Sequence, residues 1–221
     1  MAKIVKMNSL SSRRAPKQKA EDRRKNILSA ASGVFAGASF AQADTGDLAK
    51  AAGIKPPALY RYFPTKRHLY LATLADAGPK LVDLWRRALS AAPDPASAIK
   101  DIGMAYYDHA RSRSPMMRLW FQAVGEASDP EVRAVVAETL GKAVGLVQAV
   151  IEEGQRSGAF RRDMDPRTAA WEFMGIGFSM DLAHVLGFEQ DLSRATVEEM
   201  GDRFIDSLRT ARQYQEMEQP E

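Results

Sequence analysis

Apolar residues recur at helical spacing along most of the chain. Ahead of Gly37, Ile27, Leu28, Ala31, Val34 and Phe35 share one face of a helix that opens near Ala20. Asp44 suits the N-cap of a short helix over 45–52, with Gly53 just past its end. A third helix fits 56–62 and stops at Pro64, whose ring cannot continue the hydrogen-bond ladder. A fourth starts near Thr65 or Lys66 and runs through Leu69, Leu74, Leu81 and Leu84 toward Leu89. Gly78-Pro79 should kink or split it, because Pro79 lacks a donor and its ring meets the Ala75 carbonyl. Helices follow at about 95–113, 116–126 and 130–155. The connection "GQRSGAFRRDMDP" begins at Gly154, where the preceding helix runs out, and ends on Asp165-Pro166, a cap followed by proline at the first helical position. An apolar helix then reaches about Leu186. A ninth, about 195–214, is launched by a capping box of Thr196 and Glu199. No strand pattern or repeat interrupts the series, so the predicted class is all-α with about nine helices.

The stretch "LAKAAGIKPPALYRYF", 48–63, puts two prolines between two helical segments. They make sense as the first turn of a second helix, where amide hydrogens lack partners and a fixed φ is pre-organised. Ala49 is small enough for a close crossing, Gly53 suits a reversal, Ile54 plugs the turn and Leu59 packs back. That is the pattern of a helix-turn-helix. With Leu59 and Phe63 turned inward, Lys55, Pro56, Pro57, Ala58, Tyr60, Arg61 and Tyr62 remain for a partner. They combine small and apolar groups for groove approach with cations and hydroxyls for phosphates and base edges.

Residues 24–72 resemble the N-terminal domain of the TetR (tetracycline-repressor-like) family of bacterial transcription regulators. The matching elements are "ILSAASGVFA", "DLAKAAGI", "LYRYFPTK" and "LYLA". The resemblance implies a head over 20–66 that binds operator DNA as a homodimer, and a body over 67–221 that binds a small-molecule effector and dimerises. It places DNA contacts at Thr45, Gly46, Lys55, Pro56, Pro57, Ala58, Tyr60, Arg61, Tyr62 and Lys66, with Tyr60 and Lys66 on phosphates. Gly46 stands where the family often has a long polar residue, which weakens base reading from the second helix. Lys55 stands where it often has a capping serine.

Charge sharpens this picture. Residues 1–70 hold 14 Lys+Arg against 4 Asp+Glu, whereas the whole chain carries only +3. A basic head on an acidic body suits a polyanion partner. Residues 1–19 read as a disordered basic tail, able to touch phosphates or simply to be solvated. The chain has no cysteine, which excludes disulfides and thiolate metal sites. No apolar run follows the N-terminal charges, and the longest uncharged stretch, 26–43, is too polar to span a membrane, so the expected location is the cytoplasm.

The body carries many aromatic and methionine residues at helical positions: Trp85, Met104, Tyr106, Tyr107, Met116, Met117, Trp120, Phe121, Trp171, Phe173, Met174, Phe178 and Met180. Each alone suits a core. Together they suit an adaptable apolar cavity, with Trp85, Met104, Tyr107, Met117, Trp120, Phe121, Trp171, Met174, Phe178, Asp181 and His184 as the expected lining. The stripe Val197, Met200, Phe204, Ile205 and Leu208, with Gly175 on the preceding helix, is the expected dimer interface. No phosphate loop, nucleophile elbow or metal-ligand spacing occurs, so neither catalysis nor a cofactor or metal is implied. The sequence therefore reads as a dimeric regulator, a repressor released by a largely apolar effector. The competing reading is a helical carrier or protein-interaction domain with a vestigial head.

Overall fold

The computed structural model describes residues 16–112 and 115–209. Among these, all regular structure is helical: α1 (Pro16–Gly37), α2 (Thr45–Ala51), α3 (Pro56–Tyr62), α4 (Lys66–Ala91), α5 (Pro95–Arg111), α6 (Pro115–Gly125), α7 (Pro130–Ser157), α8 (Pro166–Leu186) and α9 (Arg194–Leu208). The all-α expectation holds. Residues 1–15 of the expected tail lie outside the described residues, as does the expected end of the ninth helix over 210–214. Residues 16–19 belong to α1, so the first helix opens four residues before Ala20.

Local signals explain most boundaries. The Asp44 carboxylate accepts from the Gly46 amide at 2.6 Å and starts α2. A Cβ on Gly46, where the family often has a long polar residue, would meet that same carboxylate oxygen at 2.7 Å. Gly53 turns the chain at φ +64, and Ile54 donates back to the Ala49 carbonyl at 3.0 Å. Pro56 and Pro57 open α3 without a side-chain cap.

Three boundaries depart from expectation. Helix α4 runs unbroken through Gly78-Pro79. The glycine instead permits a close crossing, since a Cβ there would fall inside the Thr139 side chain of α7. Helix α7 continues past Gly154 to Ser157 and ends on Gly158 at φ +81. Gly154 serves as a floor for the ring of Phe160, whose amide donates to the Gly154 carbonyl at 3.0 Å. Helix α9 is capped by Ser193, which accepts from the Thr196 amide; Thr196 is thus three residues inside the cap position.

Two large clusters make up the interior. The first joins Ile27, Leu28, Ala31 and Phe35 of α1 to Leu48, Ala49, Leu59 and Phe63, then to Leu69, Tyr70 and Leu74 of α4. It also takes in Leu119 and Ala123 of α6 and Val132 and Val136 of α7. The head core therefore crosses residue 66, the expected domain boundary, and reaches into the body. The second cluster centres on Trp85, Ile99, Ile102, Val144, Val147, Ile151 and Phe173. Helix α7 is long and apolar enough to cross a membrane, but here it packs on α4, α5, α6 and α8.

Candidate functional site

On the head, α2 and α3 lie side by side, joined by the turn at Gly53. Ala49 is fully buried and Leu59 is 2% exposed, which holds α3 across α2. Lys55, Pro56, Pro57, Tyr60 and Arg61 are exposed; Thr45, Ala58 and Tyr62 are half-buried. The Tyr60 hydroxyl lies 3.4 Å from Thr45 Oγ1, linking the two helices. Arg24 of α1 stacks over the Phe63 ring at 4.9 Å.

Lys66 and Arg67 open α4 and face different neighbours. The Lys66 ammonium donates to the Ala43 carbonyl at 3.0 Å and lies over the Phe40 ring at 4.7 Å. It braces the turn ahead of α2. Arg67 grips the body: it donates to both Asp129 oxygens, at 2.6 and 2.9 Å, and to Glu131. Asp129 is also the N-cap of α7. The guanidinium holds the Asp129 carboxyl down to about 2. Arg67 therefore ties the foot of the head to the start of α7.

Inside the body lies a cavity of about 90 Å³, measured as the space open to the centre of a water-sized sphere. One water needs roughly 10–15 Å³ by that measure, so a small organic molecule fits. Helices α4 to α9 all contribute walls, which are overwhelmingly apolar and rich in aromatic rings. Trp85 meets Tyr106 edge to face, with ring centres 5.9 Å apart. The Tyr106 hydroxyl donates to Asp181 at 2.5–2.6 Å. Burial pushes the Asp181 carboxyl up to about 6, against the opposing pull of the Tyr106 hydroxyl. Burial likewise lowers His109, another wall residue, below the usual histidine range.

Residues 27–73 match the sequence model of "Bacterial regulatory proteins, tetR family". The transcriptional activator FasR of Mycolicibacterium smegmatis is 32% identical over 124 residues, which cover 56% of this chain and 56% of that protein. The chain thus aligns with little more than half the length of that relative. Among solved structures, the TetR-family regulator SCO4454 of Streptomyces coelicolor superposes with a TM-score of 0.73 at 20% identity, covering 86% of this chain and 97% of that one. FadR of Bacillus subtilis, solved with stearoyl-CoA, superposes with a TM-score of 0.70 at 16% identity, covering 83% and 96%.

The head carries the TetR-family N-terminal domain over residues 27–73.

Within the body, the cavity brings together Trp85, Met104, Met117, Trp120, Met174, Phe178 and Asp181 from the expected lining. Four expected residues stand elsewhere. Tyr107 is buried on another side of α5 with Met180 and Val197, under Arg111 and Arg194. Phe121 is half-buried on α6, away from the wall. Trp171 is 43% exposed, and His184 lies 3.4 Å from Glu189 at the end of α8. The Met116 side chain lies outside the described residues. Tyr106 and Phe173 belong to the wall, as the wider aromatic set suggested.

The expected dimer stripe is also corrected. Val197, Phe204, Ile205 and Leu208 are buried within the chain itself, and Met200 is half-buried. Gly175 remains outside, on an exposed apolar stripe of α8 formed by Trp171, Phe178, Leu182 and Val185. Those residues fall at positions i, i+7, i+11 and i+14, which share one helical face.

Asp181 carries a stability consequence. Its carboxyl takes up a proton in the folded chain at higher pH than in the unfolded one, where the ordinary value is 3.8. Its contribution is therefore most favourable below about pH 4 and is lost as pH rises through about 6. Asp181→Asn keeps an acceptor for Tyr106 and removes the buried charge. The variant is expected to be more stable than the parent by about 2 kcal/mol at pH 7.5, with the difference vanishing near pH 4. Urea unfolding at the two pH values checks this. An equal or lower stability at pH 7.5 would show that the charge is not costly where it lies.

Proposed function

We propose that the chain works as a homodimer in the cytoplasm, repressing transcription from a near-palindromic operator until a small, largely apolar effector enters the body. The head spans 20–66 and the body 67–221 in this reading. Two copies of α3 enter successive major grooves about 34–36 Å apart or a multiple of that. Lys55 and Tyr60 hold phosphates, and Arg61, with Tyr62, reads base edges. Thr45 and Gly46 bring the start of α2 against the backbone, and the small Pro56, Pro57 and Ala58 allow α3 to approach closely. Lys66 stiffens the turn that presents Thr45 and adds its charge to the phosphate side.

The observation that carries the effector reading is the placement of α6. Leu119 and Ala123 on one side belong to the head core; Met117 and Trp120 on another line the cavity. Trp120 touches both, since it also packs against the head cluster. An occupant that moves Trp120 therefore moves a helix on which the head rests. A ligand that prefers one head spacing lowers operator affinity by the difference in its affinity for the two states. The stearoyl-CoA bound by Bacillus subtilis FadR supports the idea that this fold accepts a ligand with a long apolar part.

Fluorescence anisotropy on labelled upstream DNA and on scrambled DNA, at two salt concentrations, tests the proposal. Arg61→Ala is expected to weaken operator binding about 10–100-fold while barely changing scrambled DNA. Lys55→Ala should weaken both and reduce the salt slope by about one. Binding by the parent protein that is equal on both DNAs and erased by salt would instead favour a carrier with a vestigial head.

A further inference from the structure

The wall of the cavity is apolar except at a few points, and those points differ. Lys100 donates to Asp202 at 2.8 Å, and Glu198 accepts from Arg194 at 3.2 Å, so both of these wall charges have counter-ions. Burial pushes His109 below the usual histidine range, which favours its neutral form. Asp181 is 3% exposed, and among the described residues its one hydrogen-bond partner is the Tyr106 hydroxyl. No cation lies against it from α5, α7 or α9. A carboxylate offers about four acceptor positions, and here a single donor serves both oxygens.

We infer that the cavity is built for an amphiphile with a cationic ammonium head and an apolar body, the head pairing with Asp181. This rests on the effector reading above and names the ligand's chemical class. A buried carboxylate without a counter-ion attracts a cation strongly, because little water screens the pair. Trp85, Tyr106 and Phe173 line the same cavity, and aromatic rings suit a weakly hydrated ammonium. An anionic head is disfavoured twice. It would meet Asp181 as a like charge, and the hydroxyl donor it would need is already held by that carboxylate. Trp85 keeps its indole N–H buried with no acceptor.

The test compares three probes of equal chain length, octyltrimethylammonium, octanoate and octanol, binding to the full-length protein at pH 7.5. Intrinsic tryptophan fluorescence is the readout, since Trp85 and Trp120 both line the cavity. The ammonium is expected to bind at least about tenfold more tightly than either other probe. In Asp181→Asn that preference should fall to within about threefold, with octanol unchanged. The quaternary head does not titrate, so moving from pH 7.5 to 5 should weaken it about tenfold in the parent as Asp181 takes up its proton. His109 is the other wall group able to gain charge over that range, and the variant retains it. A pH effect as large in the variant would assign the selectivity to His109 and overturn the inference. Octanoate or octanol binding as tightly as the ammonium would overturn the head-group assignment while leaving the cavity as an effector site. If none of the three binds, both the inference and the effector reading fall.

Discussion

Leu182→Arg is expected to yield a folded monomer that has lost operator binding. Leu182 is 51% exposed in the single chain, on the α8 stripe with Trp171, Phe178 and Val185. Exposed apolar rows of this length mark contact surfaces more often than solvent faces. If two α8 helices meet across a two-fold axis, each substitution occurs twice. Two leucine burials of about 1.5–3 kcal/mol each are lost, and two guanidinium groups are brought toward the axis. A penalty of about 4 kcal/mol or more raises the dimer dissociation constant about a thousandfold. Light scattering should then report 24.4 kDa in place of twice that mass, with helical circular dichroism unchanged. Operator affinity should fall with it, because a single α3 reads too few bases. A variant that stays dimeric would move the interface away from α8.

Phe160→Ala is expected to be the most damaging single truncation in the body. Phe160 is 2% exposed and rests on the Gly154 backbone, beyond the left-handed Gly158. The next amide, Arg161, donates to the Leu208 carbonyl at 2.8 Å, and Gln155 holds the Arg161 and Met164 carbonyls. The loop between α7 and α8 is therefore locked to the end of α9 around this one ring. Removing the ring leaves a cavity that these hydrogen bonds prevent from collapsing, at a cost of about 3–5 kcal/mol. For a chain of this size the melting temperature should drop by about 10 °C. A loss under about 1 kcal/mol would mean that the loop repacks freely. Gly154→Ala probes the same contact from beneath, since its added methyl has no space beside Phe160.

Tyr106 and Tyr107 illustrate where reading along the chain stops. Both are aromatic, adjacent and on one helix, yet Tyr106 lines the cavity and Tyr107 packs with Val197 under two arginines. Neighbours on a helix point about 100° apart, and the rotation of α5 is set by what packs around it. The same holds for α9. Its stripe from Val197 to Leu208 is amphipathic, and periodicity reveals a buried face without saying what covers it. Helix α5 and the connection after α7 cover that face, and the exposed apolar stripe stands on α8 instead. Gly154 and Gly78 were legible as punctuation, but both lie inside unbroken helices where Phe160 and Thr139 approach the backbone. The Arg67 bridge to Asp129 spans 62 positions, and no local signal marks it.

The sequence by itself determined the helical class, the helix-turn-helix and its cationic, hydroxyl-bearing face. Those follow from interactions within a turn or two: the Asp44 cap, the reversal at Gly53, the prolines that open α3, and the period of Ile27, Leu28, Ala31 and Phe35. Tertiary structure alone decided which apolar faces close the core, which remain exposed, and which surround a space. It also decided that the Asp181 carboxylate faces Tyr106 without a counter-ion, and that α6 touches both the head core and the cavity. Those outcomes depend on contacts between residues tens of positions apart, where the geometry of packing selects among faces that hydrophobic periodicity leaves equivalent.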